Sequence, residues 1–142
     1  MSAAIQGSKV LYTAKVRTEG DRNGGVSRSD DGRIELTHTS PGQPGNGTNP
    51  EQLLAAGWAA CFVAAMGLAA QDRKVAMPSA GVIDAQVDLM FGEQEGYSLQ
   101  ARFNVSVPGL PRDTVKELVD AAHRTCPYSK AMRSIPMELN VV

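Results

Sequence analysis

The sequence predicts an α+β fold, with antiparallel sheets packed on one long central apolar helix. Three observations carry that expectation. Segments of strand period stand next to one another in hairpin-like pairs instead of alternating singly with helices. One uncharged run, "LLAAGWAACFVAAMGLAA" (53–70), is long enough for a helix covered on every side. The chain has 142 residues, 42% hydrophobic and 20% charged. Those totals suit one domain, 1–142, with a real core, and exclude a disordered or disulfide-dense chain. The expected order is βββ-α-ββ-α-α-β, with no internal repeat.

Eight of the nine elements have a segment of their own; the middle strand of the first three has none. "SKVLYTAKVR" (8–17) alternates, with Val10, Tyr12, Ala14 and Val16 on one face, and reads as a strand. "EGDRNGG" (19–25) is a turn, rich in Gly, Asp and Asn. "RIELT" (33–37) is a short strand, and "SPGQPGNGTNP" (40–50) is a loop. Asn49 or Thr48 can cap a helix that has Pro50 in its first turn, and Thr48 and Glu51 have capping-box spacing. That helix runs to about Asp72. "GVIDAQVDLMF" (81–91) and "YSLQARFNVSV" (97–107) form a hairpin across "EQEG", with Tyr97, Leu99, Ala101, Phe103, Val105 and Val107 on one face. "LPRDTVKELVDAAHRT" (110–125) places Val115, Leu118, Val119 and Ala122 at helical spacing. "CPYSKAMRS" (126–134) starts a new short helix, with Cys126 at its cap and Pro127 in its first turn. "MELNVV" (137–142) closes the chain as a strand.

Charge and hydropathy narrow the function classes. Net charge is −1 and no run of Lys and Arg stands out, so a nucleic-acid footprint is not expected. Residues 53–70 are marginal in length for a bilayer span, much of the run is Ala and Gly, and it stands alone. A buried central helix explains it better than a membrane anchor. "MSAAIQGSKVLYTAK" has no basic stretch leading into an apolar core, so no secretory signal is expected. The expected compartment is a reducing cytoplasm, where disulfides are transient, catalytic or redox-sensing.

The chain has two cysteines, Cys61 and Cys126, and three readings compete for them. Both can be small buried hydrophobes. With His38 and His123 they make a possible metal set, although no C-x-x-C or H-x-x-x-H spacing is present. Or they do thiol redox chemistry, which needs thiolate. At the ordinary thiol pKa only ~3% is ionised at pH 7. Cys61, between Ala60 and Phe62, would then need a cation. Arg22 in the "GDRNGG" turn is one, and Glu51 could hold its guanidinium by a bidentate contact. Each also has a plain reading: Arg22 as a solvated turn residue, Glu51 as part of the capping box. Local physics alone makes Cys126, at a helix N-terminus, the more acidic thiol. Which sulfur attacks first stays open at this level.

"TNPEQLLAAGWAACF" (48–62) and "HRTCPYSKA" (123–131) resemble the two cysteine motifs of the organic hydroperoxide resistance (Ohr) proteins, a branch of the wider OsmC-like group. "GDRNGGVSRSDDG" (20–32) is similar to that family's arginine-bearing segment. The three motifs come in the family's order, and the resemblance covers essentially the whole chain. "CPYS" with "NPEQL" favours the Ohr branch. Trp58 and Leu54 depart from the pattern, where a smaller aromatic or a Phe is expected.

The resemblance implies an OsmC-like fold and a thiol peroxidase acting on alkyl and fatty-acid hydroperoxides. It implies that Cys61 is the peroxidatic cysteine and Cys126 the resolving one, joined by an intramolecular disulfide during turnover. Arg22 and Glu51 would activate the thiolate and position the peroxide. It implies an intertwined homodimer, no metal, haem or flavin, and reduction by a dihydrolipoyl group on a partner protein. An apolar entrance involving Trp58, Phe62, Met66 and Met90 would suit an alkyl tail, although core packing explains each of them as well. The rival reading is a non-enzymatic OsmC-like binder of an apolar ligand, with the cysteines a redox switch or inert.

Overall fold

The computed structural model describes residues 7–142. The N-terminal stretch read for a leader lies partly in residues 1–6, outside the described residues. The elements are β1 (Val16–Glu19), β2 (Val26–Ser29), β3 (Glu35–Thr37), α1 (Pro50–Asp72), β4 (Val82–Gly92), β5 (Gly96–Ser106), α2 (Arg112–Thr125), α3 (Pro127–Ala131) and β6 (Met137–Val141). The chain clusters into two compact units, one up to Pro50 and one from Glu51 onward.

The first unit is a three-stranded antiparallel sheet in the order β1-β2-β3. The turn between β1 and β2 needs its glycines. Gly20 and Gly24 take φ of +83° and +102°, and a Cβ on Gly25 would collide with the carbonyl oxygen of Asp21. Asp21 Oδ1 accepts the N–H of Asn23 at 2.9 Å, and its carbonyl accepts the N–H of Gly25 at 2.9 Å.

The strand expected over 8–17 is much shorter, beginning only at Val16. Val10, Leu11 and Tyr12 are exposed. The reason is a missing partner. β1 pairs with β2 from Val16 opposite Ser29, and beyond Ser29 the chain turns through residues 30–33. Period-2 alternation does not make a strand without a second backbone to bond.

The second unit carries the core. β4 and β5 pair antiparallel from Val82 opposite Ser106 to Gly92 opposite Gly96, and Gly96 turns at φ +74°. β6 joins β5 in parallel, from Ala101 opposite Met137 to Val105 opposite Val141. This sheet is therefore mixed, not purely antiparallel as expected, because the two helices α2 and α3 carry the chain back before β6 begins. Ala101, Phe103 and Val105 form a buried face of β5, continued by Val107 just past its end, as the alternation predicted, whereas Tyr97 near the hairpin tip is exposed.

α1 is apolar all round, yet only one side of it is buried here: Trp58, Phe62, Ala65, Met66, Ala69 and Ala70. The spacing of four, three and one residues traces a single stripe. Leu68, off that stripe, is 64% exposed. α1 has the length and apolarity of a membrane span. Its stripe nevertheless meets β5, where Phe103 stands edge-on to Trp58 at a centroid distance of 5.1 Å. α2 adds Val115, Leu118, Val119, Ala121 and Ala122 to the same core.

Candidate functional site

Cys61 lies at the start of the fourth turn of α1, next to Phe62, whose side chain is fully buried. Successive helical residues point about 100° apart, so the residue beside an inward phenylalanine sits at the margin of the buried stripe. Cys61 is accordingly half-buried and packs against the rim of the core.

Cys126 reaches the same place from the other end of the second unit. It closes α2 with its N–H donated to the Ala122 carbonyl at 2.7 Å, and it is the N-cap residue of α3, which has Pro127 in its first turn. Its carbonyl accepts the Lys130 N–H at 2.9 Å. Both cysteines are free thiols, and they lie near enough for Cys126 to affect the ionisation of Cys61. Cys126 is wholly buried. Of the two, Cys61 is the more exposed.

Burial pushes the Cys61 thiol above its ordinary pKa, and the neighbouring Cys126 thiol adds to the rise. The backbone N–H of Tyr128 acts in the opposite direction. Tyr128 also lies against the helix one turn before Cys61. A Cβ on Gly57 would come within 2.8 Å of the Tyr128 hydroxyl, so the glycine makes room for the ring. Trp58 Nε1 donates to Ser129 Oγ at 2.9 Å, with both residues buried. The sequence reading gave Gly57, Tyr128 and Ser129 no role, although "CPYS" was part of a quoted motif.

The remaining expected site residues are distributed as follows. Arg22 is in the β1–β2 turn of the first unit, where its carbonyl accepts the Ser40 hydroxyl at 3.3 Å. Glu51 is in the first turn of α1. The metal set does not assemble: among the described residues no group of three or more His, Cys, Asp or Glu could hold an ion. His38 is buried in the first unit, with Nε2 bonded to Ser27 Oγ at 2.7 Å. His123, on α2, has its ring 6.4 Å from that of Phe62. The apolar entrance needs correcting too. Trp58, Phe62 and Met66 are fully buried core residues, because the helix stripe they share faces β5; of the four, only Met90 is exposed.

Residues 40–140 match the family described as OsmC-like protein. An organic hydroperoxide resistance protein of Xanthomonas axonopodis pv. citri is 40% identical over 129 residues, covering 88% of this chain and 89% of the relative. The crystal structure of the organic hydroperoxide resistance protein OhrB of Bacillus subtilis superposes with a TM-score of 0.86 at 39% identity, covering 94% of this chain and 100% of that one. An organic hydroperoxide resistance protein of Legionella pneumophila gives a TM-score of 0.87 at 35% identity, covering 94% and 98%.

Proposed function

The chain belongs to the OsmC-like protein family, and on that premise we propose that it is an organic hydroperoxide resistance protein working as a cysteine-based peroxidase. The observation that carries the reading is the neighbouring pair of free thiols, one half-exposed and one buried, in a chain 40% identical to a protein of that name.

In this reading the Cys61 thiolate attacks the terminal oxygen of ROOH. The O–O bond breaks, ROH leaves after taking a proton, and Cys61 becomes a sulfenic acid. Cys126 then displaces water from that sulfur and a disulfide forms. Because its surroundings hold the Cys61 thiol above its ordinary pKa, the reaction needs a fixed cation. We assign that role to Arg22, oriented by Glu51, on the likeness of the "GDRNGG" and "NPEQL" segments to the family's motifs. The arginine would also stabilise charge developing on the peroxide.

The same reading includes a dihydrolipoyl group on a partner protein as reductant, a single functional domain over 1–142, a cytoplasmic setting and a homodimer. For the dimer, the support is apolar surface left over in one chain: Val10, Leu11 and Tyr12 before β1, and Leu68 on α1.

The test is a thiol count and an intact mass before and after one equivalent of cumene hydroperoxide. Loss of both thiols, with two hydrogens lost from the mass, is expected. Repeated turnover with dihydrolipoamide is expected as well. Two unreacted thiols would replace the peroxidase reading with that of a ligand-binding OsmC-like protein.

A further inference from the structure

The segment after Cys126 touches α1 at two neighbouring places. The Tyr128 ring lies over Gly57, and Ser129 Oγ accepts the indole N–H of Trp58. Trp58 precedes Cys61 by three residues, and Ser129 follows Cys126 by three. The Trp58–Ser129 bond therefore ties the two cysteine-bearing elements together at one helical turn from each sulfur. Trp58 has no exposed surface and Ser129 has 1%, so the bond has little water to compete with it. α3 itself is only five residues long, too short to hold its own shape without tertiary contacts.

We propose that Trp58 and Ser129 are positioning residues for disulfide formation, clamping Cys126 against Cys61 so that resolution outruns overoxidation. The proposal rests on the peroxidase reading above. Once Cys61 is a sulfenic acid, two reactions compete for it. In one, the Cys126 sulfur attacks the Cys61 sulfur, an S–S bond forms, the S–O bond breaks and water leaves. In the other, a second hydroperoxide transfers an oxygen to Cys61, giving sulfinic acid and another ROH. The first is intramolecular, and its advantage depends on how closely the two sulfurs are held. The clamp acts on that step alone; the first attack on ROOH does not use it.

The experiment compares Ser129→Ala, which deletes a single oxygen, with Trp58→Phe and with the double variant. Each reduced protein is pulsed with graded cumene hydroperoxide. Intact mass then separates disulfide (two hydrogens lost) from sulfinic acid (two oxygens gained), and stopped-flow follows the first loss of thiol. Each single variant should lose its first thiol at the wild-type rate, while its overoxidised fraction rises roughly fivefold, the size one net hydrogen bond corresponds to. The double variant should shift no further than the singles, because all three remove the same bond. It also leaves no buried partner unpaired, which keeps the comparison available if Ser129→Ala folds poorly. A wild-type partition in the folded variants overturns the proposal. So does a parallel fall in first attack and resolution, which is what general loosening of the core would give. If the wild-type protein itself loses no thiol, the peroxidase reading falls and takes the clamp with it, a result distinct from either of those.

Discussion

Phe62 stands edge-on to Phe103, with ring centroids 5.5 Å apart and planes at 83°. This contact decides where Cys61 sits. The phenylalanine turns inward to meet β5, and the cysteine before it is left at the core's rim. Phe103 also receives the edge contact with Trp58, so one strand residue anchors two turns of the helix that bears the thiol.

Phe103→Ala should therefore cost about 3–5 kcal/mol of stability, the usual loss for a buried phenylalanine. A denaturant melt would read it as a lower midpoint with an unchanged slope. A loss below ~1 kcal/mol would mean that the core collapses onto the cavity and that the two aromatic contacts matter little.

The cysteine variants should separate the two thiols. Cys61→Ser is expected to abolish hydroperoxide turnover. Cys126→Ser should still consume a first equivalent, and then accumulate sulfinic acid on Cys61 by intact mass. Wild-type turnover of cumene hydroperoxide by Cys61→Ser would remove that residue from the chemistry.

The thiol pair has a pH signature. Burial and Cys126 both raise Cys61, so Cys126→Ser should let Cys61 ionise at lower pH. The pH dependence of iodoacetamide alkylation would report it, and a midpoint unmoved or moved upward would contradict the arrangement. The sign for stability follows from the same shift. A group whose folded pKa lies above its unfolded value, about 8.5 for a thiol, contributes fully below that value, and the contribution is lost as pH rises through the folded pKa. The stability difference between wild type and Cys61→Ser should accordingly shift against the wild type above about pH 8.5.

The β1–β2 turn offers a separate test of Arg22. Arg22→Ala should slow the reaction with hydroperoxide about a hundredfold, the loss typical of one transition-state donor. Gly25→Ala should act in the same direction without touching the guanidinium, since its Cβ would collide with the Asp21 carbonyl and the turn would have to open. Wild-type kinetics in folded Arg22→Ala protein would exclude the arginine from the site.

Much of the fold was legible in the sequence because local rules suffice for it. The element order, the span of α1 after Pro50, the hairpin around residues 93–96 and the start of α3 at Pro127 are all set by periodicity, capping and turn chemistry within a few residues. The cysteine motifs were read from their resemblance to a family, because local rules left the two thiols undistinguished. What failed needed a partner from elsewhere in the chain. Residues 8–15 alternate like a strand, but β2 turns away before it can pair with them. Trp58, Phe62 and Met66 read as core more readily than as a pocket, and the seating of α1 on β5 makes them core. The meeting of Cys61 with Cys126, 65 residues later, and the Trp58–Ser129 bond across 71 residues, belong to the tertiary structure alone. No local propensity encodes a contact at that separation, because it forms only when helix, sheet and the short α3 are packed into one core.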